Sequence, residues 1–169
     1  MSVDCEKVFS DFCKSNLKTT ITGRLEYRSG ANIALYMLPE GIPELSGLRV
    51  ARSGWYLGDI KGRNTPRFEP SHAFALGLKA VEVQAACNLP PDLCTRYLRG
   101  ESFDLSEVSD EISGSSEITG SSEISTSGEA KSLANRSWVL MCFAGHPLGW
   151  AHLVRGRLKN KYPQGWMTP

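Results

Sequence analysis

Apolar residues near the start of the chain recur at helical spacing. Cys5, Val8, Phe9, Phe12 and Cys13 follow the i, i+3, i+4, i+7, i+8 rule, with Lys7, Asp11 and Lys14 on other faces, which predicts an amphipathic helix over 3–16. Ile33–Leu38 is a short apolar run and reads as a strand, stopped by Pro39, Gly41 and Pro43. Leu48–Arg52 and Trp55–Ile60 read as two strands joined at Ser53-Gly54. From Phe68 to Leu78 a helix is expected. Glu69 or Ser71 would cap it, Ala73, Leu76, Gly77 and Ala80 would give it a small-residue packing face, and Asn88-Leu-Pro-Pro91 would end that region. A short helix follows at Asp92–Leu98, closed by Gly100. Trp138–Phe143 reads as a buried strand, Ala144-Gly-His-Pro147 as a hairpin turn and Leu148–Val154 as the return. The pattern amounts to five or six strands and two or three helices. It favours an α+β fold, a small mixed β-barrel with packed helices.

Between the last helix and the buried strand the pattern fails. Glu111-Ile-Ser-Gly-Ser-Ser, Glu117-Ile-Thr-Gly-Ser-Ser and Glu123-Ile-Ser-Thr-Ser-Gly repeat every six residues. A hexapeptide β-helix of this composition would bury almost nothing. Residues 104–135 are therefore expected to be a solvated, disordered insertion.

At 169 residues and 41% hydrophobic content the chain is one domain, or two small ones sharing a core. No apolar run approaches the roughly 20 residues of a membrane span, and the N-terminus lacks the apolar core of a secretory signal. The five cysteines, Cys5, Cys13, Cys87, Cys94 and Cys142, are odd in number and never spaced C-x2-C, so they read as small apolar residues in a reducing cytoplasm.

Charge is unevenly spread. The net charge is +1, but residues 1–103 carry +2, residues 104–135 carry −6, and residues 136–169 carry +5 with no acid at all. The folded part is therefore read as basic. The loop Lys61–Arg67, with Arg63 inside it, and the tail Arg155–Lys161 are the cation-rich stretches. Such cations suit the phosphate backbone of a nucleic acid. Trp55, Tyr56, Phe68, Trp150 and Tyr162 are interleaved with them; exposed rings there would stack on unpaired bases, although each ring taken singly is expected to fill the core. Arg155, Arg157, Lys159 and Lys161 as a group favour binding. Glu69 is read as a helix cap or a partner of Arg67. His72, His146 and His152 are too scattered to suggest a metal site. There is no P-loop, no G-x-G-x-x-G, no G-x-S-x-G elbow, and no cysteine after proline or threonine.

Three stretches together are specific: Leu48-Arg-Val-Ala-Arg-Ser-Gly-Trp-Tyr-Leu-Gly-Asp-Ile-Lys61, Arg67-Phe-Glu-Pro-Ser-His-Ala-Phe-Ala-Leu76, and Pro147-Leu-Gly-Trp150 followed by Gly156-Arg-Leu-Lys-Asn-Lys-Tyr-Pro-Gln-Gly165. With Tyr97-Leu-Arg-Gly-Glu101 between them, the chain closely resembles the C-terminal region of bacterial Sun-type rRNA cytosine-5 methyltransferases, which carries a PUA-like RNA-binding domain. The resemblance implies a first part over 1–91 and a PUA-like part over 92–169, interrupted by the insertion. It also implies structured rRNA as partner. The family's Gly-rich S-adenosylmethionine loop and its Pro-Cys and Thr-Cys motifs do not occur in this sequence. The expectation is thus a non-catalytic RNA-binding module without cofactor or metal. The alternative is a trans-acting subunit that restores methylation beside a separate methyltransferase domain. Matching positions are Arg52, Lys61, Arg67, Arg99, Arg157, Lys159, Asn160 and Tyr162; the basic stretches add Arg63, Arg155 and Lys161. The Gly149-Trp150 and Phe68–His72 motifs are open to a purely architectural reading.

Overall fold

Asp4 starts the first helix by accepting the Lys7 backbone N–H at 3.0 Å, with Glu6 in the first turn and Lys14 in the last, both favourably placed in the helix field. In the computed structural model, which describes residues 4–43, 47–50, 53–62, 64–108, 111–113 and 138–168, this helix (α1) spans Cys5–Asn16. Its Phe9 and Phe12 are buried, as the spacing predicts. Asn16 at its end is buried too: its amide donates to the Phe12 carbonyl at 2.9 Å and its Oδ1 accepts the Trp138 N–H at 3.3 Å.

Two sheets follow. The first is an antiparallel meander of β1 (Arg24–Ser29), β2 (Ile33–Leu38), β3 (Trp55–Lys61) and β4 (Arg67–Pro70). The second has six strands in the order β6-β10-β9-β8-β5-β7: β5 (Ala86–Asn88), β6 (Phe103–Asp104), β7 (Ile112–Ser113), β8 (Trp138–Phe143), β9 (His146–Val154) and β10 (Arg157–Asn160). Only β5 and β8 run parallel in it; the other pairings are antiparallel. Helices α2 (His72–Leu76), α3 (Pro91–Leu98) and α4 (Leu105–Val108) complete the described elements, with short 3₁₀ turns at Ala80–Glu82 and Gln164–Trp166.

The period-2 alternation of β8, β9 and β10 serves two cores. Trp138, Leu140, Cys142 and Trp150 face α1, α2 and the four-stranded sheet, where Phe9, Phe12, Phe68 and Phe74 pack edge-on or tilted. Val139, Met141, Ala151 and Leu158 face the other way, against Leu93, Cys94 and Tyr97 of α3. Trp150 joins the layers. Its indole N–H donates to the Ser71 carbonyl at 3.0 Å, and its own carbonyl accepts from Tyr97 Oη at 3.0 Å and from the Lys161 N–H at 3.1 Å. Gly149 leaves the room for this: a Cβ there would sit 2.6 Å from Tyr97 Oη. The Gly149-Trp150 and Phe68–His72 motifs therefore hold the fold together.

Several expectations change. Residues 48–50 form no strand; β3 pairs with β2 and β4 instead, and Leu48 is exposed. The segment expected to be helical from Phe68 begins as β4, because Phe68 and Pro70 turn inward from the ladder with β3. Ser71, not Glu69, caps α2 by accepting the Phe74 N–H at 3.0 Å. The buried positions there are Phe74, Ala75 and Leu78, whereas Ala73, Leu76 and Gly77 face outward. Residues 86–88 then form a strand rather than more helix. Strand β1 was not anticipated, although Leu25 and Tyr27 alternate with Arg24, Glu26 and Arg28. Among the described residues there are ten strands where five or six are expected. Residues 104–108 and 111–113, assigned to the insertion, contribute ordered elements and a buried Val108; the rest of the hexapeptide repeats lies outside the described residues.

Candidate nucleic-acid interface

Lys61 at the end of β3 faces Arg67 at the start of β4, and Asp59 faces Glu69 two residues on. All four lie on the outer side of the four-stranded sheet, since the alternating Ile60 and Phe68 are buried. Glu69 is the hinge of the site. Its Oε2 takes Lys61 Nζ at 2.8 Å and its Oε1 takes Lys161 Nζ at 2.9 Å. Burial works against the charged carboxylate, but hydrogen bonds from both lysines outweigh it and hold its pKa at about 2. Glu69 thus bridges the two sheets rather than capping a helix or pairing with Arg67.

Lys161 follows β10, where Arg157 and Lys159 are exposed on either side of buried Leu158. Lys159 registers with His152 of β9, and His152 with Trp138 of β8. The His152 ring stacks on Trp138 with centroids 4.6 Å apart, and Lys161 Nζ lies 5.8 Å from the Trp138 ring centre. Burial pushes the His152 imidazole below its ordinary value; Lys161 adds to this, Glu69 opposes it, and Lys159 and Arg67 lower it further. Beside this row, Asp11, Ser15, Arg67, Trp138 and His152 line a cleft of about 340 Å³.

The fold therefore brings Lys61 and Lys161 onto one bridging carboxylate and sets Arg67 and Lys159 beside Lys161 around His152, with Asp11 and Asp59 at the margins. The other candidates lie elsewhere. Arg157 registers with Asp104 and adds to the field at Glu107. Arg155 occupies the tight β9–β10 turn, about 20 Å of strand from Lys161. Arg99 ends α3, which packs on the opposite face of the six-stranded sheet. Asn160 is fully engaged: its amide donates to the carbonyls of Tyr97 and Glu101 at 2.7 and 2.8 Å, and its Oδ1 accepts the Tyr162 N–H at 2.7 Å. Tyr162 packs between Tyr97 and His72. Arg52 and Arg63 lie outside the described residues.

The tail's freedom from acids is a property of the sequence, not of the fold. Glu69 comes from 92 positions away to meet Lys161, while Asp104 and Glu107 approach Arg157. Among the rings considered for stacking, Phe68 and Trp150 are core residues and Trp55 is tied to the Ala73 carbonyl; Tyr56 and Tyr162 keep part of their surface. His152 and Trp138 went unrecognised as site residues, since their juxtaposition depends on the β8–β9 register. The thiols pack as expected. Burial raises Cys13 and Cys87 to about 12 and Cys142 to about 11, so they remain protonated at neutral pH. Among the described residues no helix is long and apolar enough to cross a membrane.

Two family models match the chain, in order. Residues 11–78 match the RsmF rRNA methyltransferase first C-terminal domain, and residues 122–168 match the methyltransferase RsmF PUA domain. Together they cover about two thirds of the chain. No curated protein matches it. The PUA match agrees with the α+β, PUA-like architecture, and a PUA region of this enzyme type is an RNA-binding one. The chain belongs to the C-terminal region of the RsmF-type, or Sun-type, rRNA methyltransferase family.

Proposed function

We propose that this chain by itself grips structured rRNA through its cation cluster and performs no methyl transfer. The observation that carries the reading is the meeting of Lys61 and Arg67 with Lys159 and Lys161 across two sheets, at a site lined by half-buried His152. Backbone phosphates are recognised by such clusters without reading sequence, so shape and backbone set the target. Residues 1–91 and 92–169 act as two parts, with β5 reaching from the first into the sheet of the second. Arg157 extends the cluster along β10; Arg99 and Arg155 are more distant contacts. Arg52, Arg63, Asn160 and Tyr162 complete the proposed set, Asn160 by fixing the segment that carries Lys159 and Lys161.

The test is titration against structured rRNA fragments across salt. Binding at micromolar concentration or tighter that weakens by orders of magnitude between about 50 and 200 mM salt agrees with the proposal; absence of binding at low salt refutes it. Incubating the chain with RNA and labelled S-adenosylmethionine should give no methylated cytosine. A second reading, a trans-acting subunit of a split methyltransferase, is favoured by both matches being to C-terminal domains of an enzyme. It requires that adding a separately produced catalytic domain restore cytosine methylation.

A further inference from the structure

The outer face of the four-stranded sheet carries two tyrosines side by side. Tyr36 of β2 registers with Tyr56 of β3, and their rings lie 5.1 Å apart at 38°. Both point away from the core that takes Leu35, Met37 and Leu57. The Arg28 guanidinium sits 5.4 Å from the Tyr36 ring centre. The rings lead into a cleft of about 410 Å³, walled by Tyr36, Tyr56, His72, Leu76, Pro163 and Trp166. Trp166 is 61% exposed and Leu76 48%, so the cleft keeps an apolar rim in water. Trp166 stands edge-on to His72, with centroids 5.0 Å apart.

Tyr36, Tyr56, His72 and Trp166 make the cleft largely aromatic, which suits a planar aromatic ligand. The surroundings say which one. Tyr56 lies within the electrostatic reach of Glu69, the residue that Lys61 and Lys161 share. Pro163 in the cleft wall is two residues from Lys161. A nucleotide whose phosphates rest on Lys61 and Lys161 therefore has its base beside this cleft. An apolar peptide would fill the cleft but gain nothing from the lysines.

We infer that the Tyr36–Tyr56–Trp166 cleft holds one unpaired nucleobase of the RNA whose backbone the lysines grip. The inference rests on the RNA-binding reading above and extends it to a base-stacking subsite. The face of the base would meet the Trp166 ring and its polar edge the tyrosine hydroxyls, of which Tyr56's is shared with the Asp59 carboxylate.

Three hairpins of one RNA sequence test this: one with a single bulged nucleotide, one with the same bulge made abasic, and one without the bulge. The full chain should bind the bulged hairpin about tenfold tighter than the abasic one. Trp166→Ala and Tyr56→Leu should each erase that preference. They should leave affinity for the abasic hairpin and its salt slope unchanged, with both variants folded by circular dichroism at the assay temperature. Equal, salt-sensitive affinity of the unaltered chain for bulged and abasic hairpins would overturn the inference and leave RNA binding standing. So would a Trp166→Ala loss of equal size on all three hairpins. No binding to any hairpin at low salt would remove both.

Discussion

Glu69 decides how the site behaves. Its carboxylate is stabilised in the folded state, at about 2 against an ordinary 4.5, so its contribution to folding is complete above about pH 4.5 and fades as pH falls toward 2. With the side chain 25% exposed, solvent screening reduces that contribution to the order of 1 kcal/mol. Urea melts between about pH 6 and pH 2.5 should show a steeper acid loss for the unaltered chain than for Glu69→Gln. At neutral pH the same substitution leaves Lys61 and Lys161 facing each other, costing about 1 kcal/mol of stability. It should tighten RNA binding several-fold at a similar salt slope, since Lys61 and Lys161 no longer have to leave a carboxylate to reach phosphate. His152 adds a proton. Its imidazole is kept neutral by burial and by Lys161, Lys159 and Arg67, against Glu69. A phosphate on those cations relieves the repulsion, so RNA affinity should rise as pH falls from about 7.5 to 5.5. Direct titration of His152→Gln should lack the rise. None of this is legible from sequence, where Glu69 and Lys161 are 92 positions apart.

At the scale of elements, alternation was a good guide where a strand is buried and a poor one where it is short. Helix α1, β2 and β8 lie where the apolar spacing puts them. Strand β1 escaped because its polar face outweighs its apolar one, and Phe68–Leu78 misled because a four-residue strand and a five-residue helix follow one another with only Ser71 between them. The β8–β9 hairpin lies where it is expected, but its turn is only Ala144-Gly145: His146 and Pro147, expected in the turn, already pair within β9. Ala144 and Gly145 both have positive φ, 48° and 79°, as do Arg155 and Gly156 in the β9–β10 turn, 50° and 76°. Both are the two-residue turn type that matches strand twist and prefers Asn-Gly. Ala144→Asn and Arg155→Asn should each raise stability by about 0.5–1 kcal/mol, measurable by thermal melting. Arg155→Asn should also cost little RNA affinity, since Arg155 lies at the far end of β10 from Lys161. A loss as large as that from Lys161→Ala would show that the interface extends along the whole strand.

Over the whole molecule, two cores share the six-stranded sheet, and the Trp150 hydrogen bonds to Ser71 and Tyr97 fasten one to the other. Heat or denaturant should therefore unfold the described body in a single transition, coincident by tryptophan fluorescence and circular dichroism. Two separated transitions would mean that the parts fold independently. The α+β, PUA-like class was legible because three long motifs survive intact. The candidate interface was legible only in part, since a net charge of +1 gives no hint that Lys61 and Arg67 come together with Lys159 and Lys161. Convergence is created by sheet register, which composition cannot express. The most direct test is the salt slope of rRNA binding for the unaltered chain and for a variant with Lys61, Arg67, Lys159 and Lys161 all changed to Gln. Four engaged cations predict that they supply roughly 3 to 4 of the slope of log K on log salt, so the folded variant should bind far more weakly and with a much shallower slope. A folded variant that binds as tightly as the unaltered chain, with the same slope, would contradict the account.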